Sequence, residues 1–248
     1  MKLDLKNKIV IITGGSGGIG EATSIAFAKE KAIVIINYNS SEKKAQEVLS
    51  KVKVYSDKSI VFKCDVSKEK QVKIMMKQIY AKFGRIDVLI NNAGIAKDSN
   101  ILEKKVTDWN KTLNTNLLGV FICSKEASQY MLKQKSGNII NISSTSAIYS
   151  FSPDIADYDA SKAGVITLTK NFAKAISPNV RVNCIAPGWV NTDINKGLPE
   201  EFLRHETKNI YAERFAEPIE IANLCLFLAS PKSSYINGTV ITADGGHD

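Results

Sequence analysis

Residues 8–20 read KIVIITGGSGGIG, and this stretch decides the fold of the chain. Its first five residues, Lys8–Ile12, are mostly β-branched and apolar, which predicts a short buried strand. Glycines crowd positions 14–20, and a pattern of helical period follows over Ile19–Lys29. A strand, a glycine-rich turn and a helix in immediate succession predict the first half of a β-α-β unit.

The same alternation continues along the chain. Short β-branched runs predict strands, and the segments between them have the period and length of crossover helices. The predicted strands are Lys8–Ile12, Ile33–Asn37, Ser59–Lys63, Ile86–Ile90, Asn138–Ser143, Val180–Ala186 and Thr239–Thr242. The predicted helices lie near Ile19–Lys29, Glu42–Lys53, Glu69–Lys82, Thr107–Leu132, Asp157–Ile176 and Pro218–Leu228.

We therefore predict an α/β fold. Residues 1–248 form a single doubly wound Rossmann-type domain, with about seven parallel strands and helices on both faces of the sheet. One stretch, residues 188–217, breaks the alternation before the last helix. An insertion of this length predicts a lid or a substrate loop.

Composition excludes several classes of protein. The chain has 248 residues, 44% of them hydrophobic, and no apolar run long enough to span a membrane. Its N-terminus is charged where a signal peptide would be apolar, and its four cysteines are scattered without a CxxC pair. These features predict reduced thiols, a cytoplasmic location and no bound metal.

The net charge of +8 comes from the N-terminal half of the chain. Almost all of the 33 basic residues are lysines, and they are spread without the clusters or interleaved aromatic residues that favour nucleic-acid binding. We therefore expect no nucleic-acid partner. A lysine-rich surface is ordinarily just solvated, although it would also attract phosphorylated or acidic ligands.

The glycine segment alone satisfies several motifs. The spacing GxGxxG from Gly15 to Gly20 fits a dinucleotide-binding loop, whereas GxSxG around Ser16 fits the nucleophile elbow of a hydrolase. A hydrolase also needs a downstream histidine, and the chain has only His205 and His247, the latter next to the last residue. The dinucleotide interpretation is favoured, because glycines let the backbone approach a pyrophosphate at a helix N-terminus.

Tyr158 and Lys162 form a Tyr-x-x-x-Lys motif on a segment of helical period, which places both side chains on one helix face. A free tyrosine has a pKa of about 10, so a nearby ammonium that lowers it would make the phenol a useful acid and base. A surface pair at this spacing is the alternative. The motif alone does not distinguish a catalytic pair from a surface pair, so the other motifs of the chain decide between them.

As a set, these residues resemble the short-chain dehydrogenase/reductase family over essentially the whole chain. The motifs that carry the resemblance are GxxxGxG from Gly14 to Gly20, Asp65-Val66, Asn91-Asn92-Ala93-Gly94, Asn116, Ser144, Tyr158 with Lys162, Pro187-Gly188 and the terminal Asp244-Gly245-Gly246. The resemblance implies a nicotinamide-dependent oxidoreductase that moves a hydride between NAD(P) and a carbonyl or alcohol carbon.

The resemblance also implies roles for individual residues. Tyr158 is expected to protonate the developing alkoxide, Ser144 to hydrogen-bond the same oxygen, Lys162 to lower the tyrosine pKa and contact the nicotinamide ribose, and Asn116 to hold a relay water. Ser143 is the rival of Ser144, since the two are adjacent. The residues expected to bind the cofactor are Gly14, Ser16, Gly18, Ile19, Gly20, Asn37, Asn39, Ser40, Asp65, Val66, Asn92, Ala93, Gly94, Tyr158, Lys162, Pro187, Gly188, Val190 and Thr192.

The end of the second strand selects the cofactor in such folds, since a carboxylate there accepts from the ribose 2′-OH and repels a 2′-phosphate. This chain has Asn37, followed by Asn39 and Ser40, with Lys43 close by. No carboxylate and no arginine stands at the strand end. We therefore favour NADP(H) over NAD(H).

The sequence indicates the substrate less clearly than it indicates the type of reaction. The chain looks most like 3-oxoacyl-carrier-protein reductases, with glucose 1-dehydrogenase-like and other alcohol dehydrogenases as the alternative. An inactive nucleotide-binding scaffold is a further alternative. Lys133 and Lys135 are candidates for docking an acidic carrier protein, and Trp189, Leu198, Phe202, His205 and Tyr211 for lining the pocket or merely packing the insertion. By resemblance, we expect a homotetramer.

Overall fold

The computed structural model describes residues 3–149, 151–192 and 198–246. The strands are β1 (Ile9–Ile12), β2 (Ile33–Tyr38), β3 (Ile60–Lys63), β4 (Val88–Asn91), β5 (Gly137–Ile142), β6 (Val180–Pro187) and β7 (Val240–Ala243). The helices are α1 (Gly18–Lys29), α2 (Glu42–Lys53), α3 (Glu69–Phe83), α4 (Val106–Leu113), α5 (Gly119–Lys133), α6 (Ala156–Ile176), α7 (Glu200–Lys208) and α8 (Pro218–Ala229).

The strands form one parallel sheet in the order β3-β2-β1-β4-β5-β6-β7. Strands β1 to β3 are added toward one edge of the sheet, and β4 to β7 are added toward the other edge. The strand order therefore reverses between β1 and β4, and at this switch point a crevice opens at the carboxyl ends of the strands. The predicted doubly wound α/β fold is confirmed. Because ligands bind in such crevices, attention turns to the loops that follow β1, β4, β5 and β6.

Both faces of the sheet are covered, as predicted. Alternate residues of β1 point to opposite faces, so Val10 and Ile12 join one core with Phe27 of α1, whereas Ile11 joins the other core with Met75 of α3. All four residues of β1 are buried. This double burial explains why the strands read as continuous apolar runs and not as alternating ones.

Two elements differ from the sequence prediction. The single helix expected over Thr107–Leu132 is divided into α4 and α5 by a π-helical turn at Asn114–Leu118, which sequence period does not reveal. Helix α7, inside the predicted insertion, was missed. It has no fully buried residue, and its apolar residues are the adjacent Phe202 and Leu203, which are too few to show a helical period in the sequence.

The remaining sequence expectations concern compartment and metal. Each of the four cysteines is a buried free thiol. Over residues 3–149, 151–192 and 198–246, no helix is both long and apolar enough to cross a bilayer. The same ranges contain no cluster of histidine, cysteine or carboxylate side chains that could hold a metal ion.

Candidate active site

The glycine loop between β1 and α1 is shaped by contacts that only glycine permits. Gly14 and Gly18 have φ values of +61° and +51°, in the left-handed region. A Cβ on Gly20 would lie 2.3 Å from the carbonyl oxygen of Gly14, so α1 can begin this close to the turn only without a side chain there. The N-cap residue of α1 is Gly17, which brings no side chain to the first-turn N–H groups. Those groups are suited to an anionic ligand.

Thr13 fixes this loop to the segment after β4. Its hydroxyl oxygen accepts from the backbone N–H groups of Asn92 and Ala93, both at 3.0 Å. The Asn92 amide donates in return to the carbonyl oxygens of Thr13 and Gly14, also at 3.0 Å. Sequence reasoning missed Thr13, although its position directly before the first glycine was the available signal.

Asn37 occupies the end of β2, yet its side chain is turned into the protein. It is 1% exposed, its Oδ1 accepts from Gly14 N at 3.4 Å, and its Nδ2 donates to Cys64 O at 2.9 Å. The amide thus joins the glycine loop to the end of β3. Asn39 and Ser40 are exposed beyond it, where they can meet solvent or a ligand.

Asp65 and Val66 follow β3 and make different contacts. The Asp65 Oδ1 accepts from the N–H and the hydroxyl of Ser67, at 3.0 and 2.7 Å, which holds the turn before α3. Val66 is buried, and a Cβ on Gly119 at the start of α5 would lie 2.9 Å from its Cγ2. Val66 therefore sets how closely α5 approaches the sheet.

The structure brings Lys162 to the carboxyl end of β5. Its Nζ donates to the carbonyl oxygen of Ile142 at 2.8 Å and lies 5.4 Å from the centroid of the Tyr158 ring. A Cβ on Gly94 would be 3.5 Å from the same nitrogen, so the loop after β4 covers the ammonium closely. Burial lowers the pKa of Lys162 to about 8.

The two adjacent serines after β5 point in opposite directions. Ser143 is buried and its hydroxyl donates to the carbonyl oxygen of Lys162 at 2.8 Å, which ties β5 to α6. Ser144 is half-buried, and its side chain lies close enough to the Tyr158 hydroxyl to lower the pKa of that phenol, against the larger effect of burial. The structure therefore places Ser144, and not its rival Ser143, beside the tyrosine.

Asn116 lies in the π-helical turn and is completely buried. Its Oδ1 accepts from Ile95 N at 2.8 Å, and its Nδ2 donates to Ile95 O at 2.9 Å and to the Ser161 hydroxyl at 3.2 Å. Ser161 in turn donates to the carbonyl oxygen of Tyr158 at 2.6 Å. The Asn116 amide thus connects the loop after β4 to α6.

Burial has a larger effect on the Tyr158 pKa than the residues around it. A lysine one turn away was expected to lower it. Instead burial raises the pKa of Tyr158 above its usual value, with Ser144 opposing and the nearby Asp159 adding to the rise. The ammonium is directed at the Ile142 carbonyl, and removing a phenolate from water outweighs the hydrogen bond that favours it. Tyr158 in this chain is a protonated phenol at neutral pH.

The segment after β6 closes the glycine loop from the other side. A Cβ on Gly18 would meet the Thr192 side chain at 3.2 Å, which puts Thr192 over the start of α1. Pro187 ends β6, Gly188 packs against Asp244, and Val190 is buried in an isolated parallel bridge with Ala216. Thr192 therefore brings this segment to the glycine loop, whereas the contacts of Pro187, Gly188 and Val190 are with β7, Asp244 and Ala216.

Several candidate side chains are not brought to this site. Lys133 and Lys135 precede β5, whereas Ser144 follows it, so a six-residue strand of about 20 Å separates them. Trp189 packs inside the insertion, stacked on Phe215 with ring centroids 5.4 Å apart, and its Nε1 donates to Glu206 at 2.8 Å.

The remaining candidates within the described residues are half-buried or exposed. Phe202 packs edge-on against Trp189, while the side chains of His205 and Tyr211 are mostly exposed. Leu198 is half-buried, and His247 lies outside the described residues. A role for residues 188–217 as a lid stays a prediction.

A buried ion pair that sequence reasoning missed holds the loop after β4 against α6. The Lys104 Nζ lies 2.7 Å from Asp157 Oδ1, with side chains 3% and 0% exposed. The second oxygen of Asp157 accepts from Thr112 on α4 at 2.7 Å. Burial opposes ionisation of Asp157, yet the bonds from Lys104 and Thr112 keep its pKa below the usual value. The pair anchors the turn of α6 that carries Tyr158.

Comparisons with known proteins agree with this geometry. A family model described as enoyl-(acyl carrier protein) reductase matches residues 14–248. A short-chain type dehydrogenase/reductase from Mycobacterium marinum superposes with a TM-score of 0.93 at 32% identity, covering 99% of this chain and 97% of that one. The chain belongs to the short-chain dehydrogenase/reductase family, and it is an oxidoreductase acting on CH–OH groups.

Curated relatives narrow the resemblance further. The chain is 41% identical over 249 residues to a 3-oxoacyl-(acyl-carrier-protein) reductase of Thermotoga maritima, covering 98% of both chains. It is 40% identical over 244 residues to a protein of the same name from Synechocystis, covering 98% of this chain and 97% of the relative.

Proposed function

We propose that this protein is an NADP(H)-dependent reductase of 3-oxoacyl thioesters, including thioesters carried on an acyl carrier protein. The observation that carries the proposal is the meeting of Ser144, Tyr158 and Lys162 at the carboxyl edge of the sheet. The names of the relatives supply the substrate class.

The glycine loop fits a dinucleotide. Its first-turn N–H groups, the close turn at Gly14 and the covering Thr192 would receive the pyrophosphate, and Lys162 would contact the ribose. When bound, the nicotinamide supplies the hydride for the carbonyl carbon. Asp65, engaged with Ser67, would border the adenine side.

The residues of the chain supply the proton and hold the substrate oxygen. Tyr158 donates its proton to the carbonyl oxygen as that oxygen gains charge, and Ser144 hydrogen-bonds the same atom. A raised pKa suits Tyr158 to this direction, because the phenol remains protonated at neutral pH. The Lys162 ammonium places positive charge behind the ring. The Asn116 side chain holds the Ile95 backbone, and Asn116 would also hold the water that links Lys162 to solvent.

The substrate is tested with a panel of compounds at fixed NADPH. We expect rapid NADPH oxidation with 3-oxoacyl thioesters and at least about tenfold lower kcat/KM with simple ketones, glucono-lactone and 2-enoyl thioesters. Two donors aimed at one oxygen favour a carbonyl over an alkene. Preference for the sugar or the enoyl thioester would replace the proposed substrate, and no turnover with any compound would support a non-catalytic scaffold.

The cofactor is tested by fluorescence titration with NADPH and NADH. We expect NADPH to bind about tenfold more tightly, because the exposed Asn39 and Ser40 follow β2 and the exposed Lys43 lies in the first turn of α2, where they can bind a 2′-phosphate. The neighbouring Glu42 carboxylate faces the Tyr38 hydroxyl, whose pKa it helps to raise. Lys43→Gln should weaken NADPH while leaving NADH unchanged, so NADH is the internal control. Tenfold tighter NADH would reverse the assignment.

Compartment and assembly complete the proposal. A cytoplasmic enzyme fits the four buried free thiols. A homotetramer built through α5 and α6 is supported by Leu118, which directly precedes α5, and by Phe121 on it, apolar side chains that are each 40% exposed.

A further inference from the structure

The loop after β4 is held in place by polar contacts. Every residue between Ile95 and Lys104 is exposed or half-buried, so apolar packing does not fix the position of this loop. At its start, the buried Asn116 side chain binds the backbone of Ile95 at 2.8 and 2.9 Å. At its end, the Lys104 Nζ donates to the carbonyl oxygen of Lys97 and to Asp157 Oδ1, both at 2.7 Å. One ammonium group therefore closes the loop on itself and ties it to α6.

The carboxyl group of Asp157 is the centre of these contacts. Its Oδ1 accepts from Lys104, and its Oδ2 accepts from the Thr112 hydroxyl on α4 at 2.7 Å. The side chains of Lys104 and Asp157 are 3% and 0% exposed. Three elements therefore meet at one buried carboxylate: the loop after β4, α4 and the first turn of α6.

Tyr158 is the next residue of the same helical turn. Helix α6 begins one residue before Asp157, so a shift of the Asp157 backbone also shifts that of Tyr158. The other end of the connection reaches Lys162, because a Cβ on Gly94 would lie 3.5 Å from the Lys162 Nζ. The loop that Lys104 ties to α6 is therefore the loop that covers the Lys162 ammonium.

Stability alone does not require a charged pair at this position. Removing two charges from water is costly, and apolar side chains of similar volume often leave a protein equally stable. Hydrogen-bonded charges instead limit the loop and the helix to one arrangement, because the ammonium reaches both of its acceptors only there. Loss of one partner leaves the other charge buried and unpaired.

We propose that Lys104 and Asp157 are positioning residues, whose ion pair fixes the first turn of α6 and the Tyr158 hydroxyl relative to the loop after β4. The inference rests on the proposed function, because it takes Tyr158 as the acid for a bound carbonyl group. Proton donation needs a distance of about 2.6–3.2 Å between the two oxygen atoms. A misplacement of about 1 Å costs about 10²-fold in rate.

The test compares wild type with Lys104→Met, Asp157→Asn and the double variant that carries both substitutions. Each single substitution breaks the ion pair, and the double variant has neither of its charges. Lys97→Met is the matched control, since the Lys97 side chain pairs with Asp108 on α4 from the same loop but is 64% exposed. The measured quantities are kcat and KM for 3-oxoacyl thioester reduction, the unfolding temperature, and the affinity and number of NADPH sites.

We expect each single substitution to lower kcat per NADPH site about ten- to 10²-fold, while KM and the NADPH affinity stay within about threefold of wild type. The double variant should lose no more kcat than the more impaired single variant, because the two side chains form one connection. Lys97→Met should match wild type, since exposed ion pairs contribute little. A merely structural pair would lower the unfolding temperature and the number of NADPH sites, but it would leave kcat per site unchanged.

Three results would overturn the inference and leave the proposed function in place. The first is a wild-type kcat per NADPH site in the folded single variants. The second is a loss that multiplies in the double variant, because the two residues would then act separately. The third is an equal loss in Lys97→Met. If a single variant does not fold, the double variant decides by its own kcat, since it buries no unpaired charge.

Failure of the proposed function gives a different result. If wild type reduces another carbonyl compound but no 3-oxoacyl thioester, the proposed substrate is wrong, and the same variants are compared with that compound. A wild type without activity on any carbonyl compound overturns both the proposed function and the inference.

Discussion

Replacing Tyr158 with phenylalanine is expected to reduce carbonyl reduction by about 10²–10⁴-fold, the usual contribution of a positioned general acid. The substitution removes the one proton that the ring can donate and leaves its apolar body in place. The glycine loop and the Thr192 contact are untouched by this substitution. The affinity for NADPH should therefore stay within about twofold of the wild-type value. Steady-state kinetics and a fluorescence titration of the same preparation give both quantities.

Tyr130→Phe is the matched control for this experiment. Tyr130 lies on α5 and its ring contacts Tyr80, with centroids 4.6 Å apart, so its hydroxyl belongs to a different part of the molecule. We expect its kinetics to match wild type. If Tyr158→Phe and the control both turn over at the wild-type rate, Tyr158 is not the general acid of this protein.

Replacing Lys162 with methionine is expected to lower kcat by at least about 10²-fold and at the same time to raise stability at pH 7. The loss of activity follows from removing the positive charge beside Tyr158. The gain in stability follows from burial, since the structure lowers the lysine pKa from 10.5 to about 8. This shift means that holding the ammonium costs about 3 kcal/mol at neutral pH.

Part of this gain is offset by the lost hydrogen bond to the Ile142 carbonyl, which is worth about 1 kcal/mol. A net gain of about 2 kcal/mol corresponds to about 4–8 °C in Tm for a chain of this size. Active sites commonly trade stability for function in this way.

The pH dependence of the free energy of unfolding tests whether burial of the Lys162 ammonium destabilises the protein. Between pH 8 and pH 10.5 the folded lysine is neutral while the unfolded lysine is charged, so the unfolded state binds more protons and wild-type stability rises with pH. The advantage of Lys162→Met should therefore shrink from pH 7 to pH 10. Lys170→Met, which changes an exposed lysine on the same helix, is the control and should change neither quantity. A destabilised Lys162→Met at pH 7 would contradict the argument.

Much of the site could be found from spacing alone. Parallel strands deliver their loops to one edge of the sheet, so the residues after β1, β4, β5 and β6 had to be neighbours once the strand order was known. The Tyr158 and Lys162 side chains had to share a face because they lie one helical turn apart.

Other features have no signature along the chain. Lys104 and Asp157 are 53 residues apart, and nothing in either neighbourhood predicts that both charges are buried. The same holds for Asn37, whose polar side chain at a strand end suggested contact with a ligand but serves the backbone of two other segments. Burial and partners at long sequence separation are properties of packing, which a local pattern cannot express.

Sequence by itself determined the class of fold, the order of its strands and helices along the chain, and the family of reaction. The fold class and the order of elements follow from period, length and glycine placement, which act over a few residues, whereas the family of reaction was implied by the resemblance of a whole set of motifs. Tertiary structure alone decided that Ser144 and not Ser143 lies beside Tyr158, that burial raises the tyrosine pKa, and that Lys104 and Asp157 form a buried ion pair. Each of these depends on how far a group is removed from water and on which distant group it meets, and both are settled only when the sheet and its helices pack together.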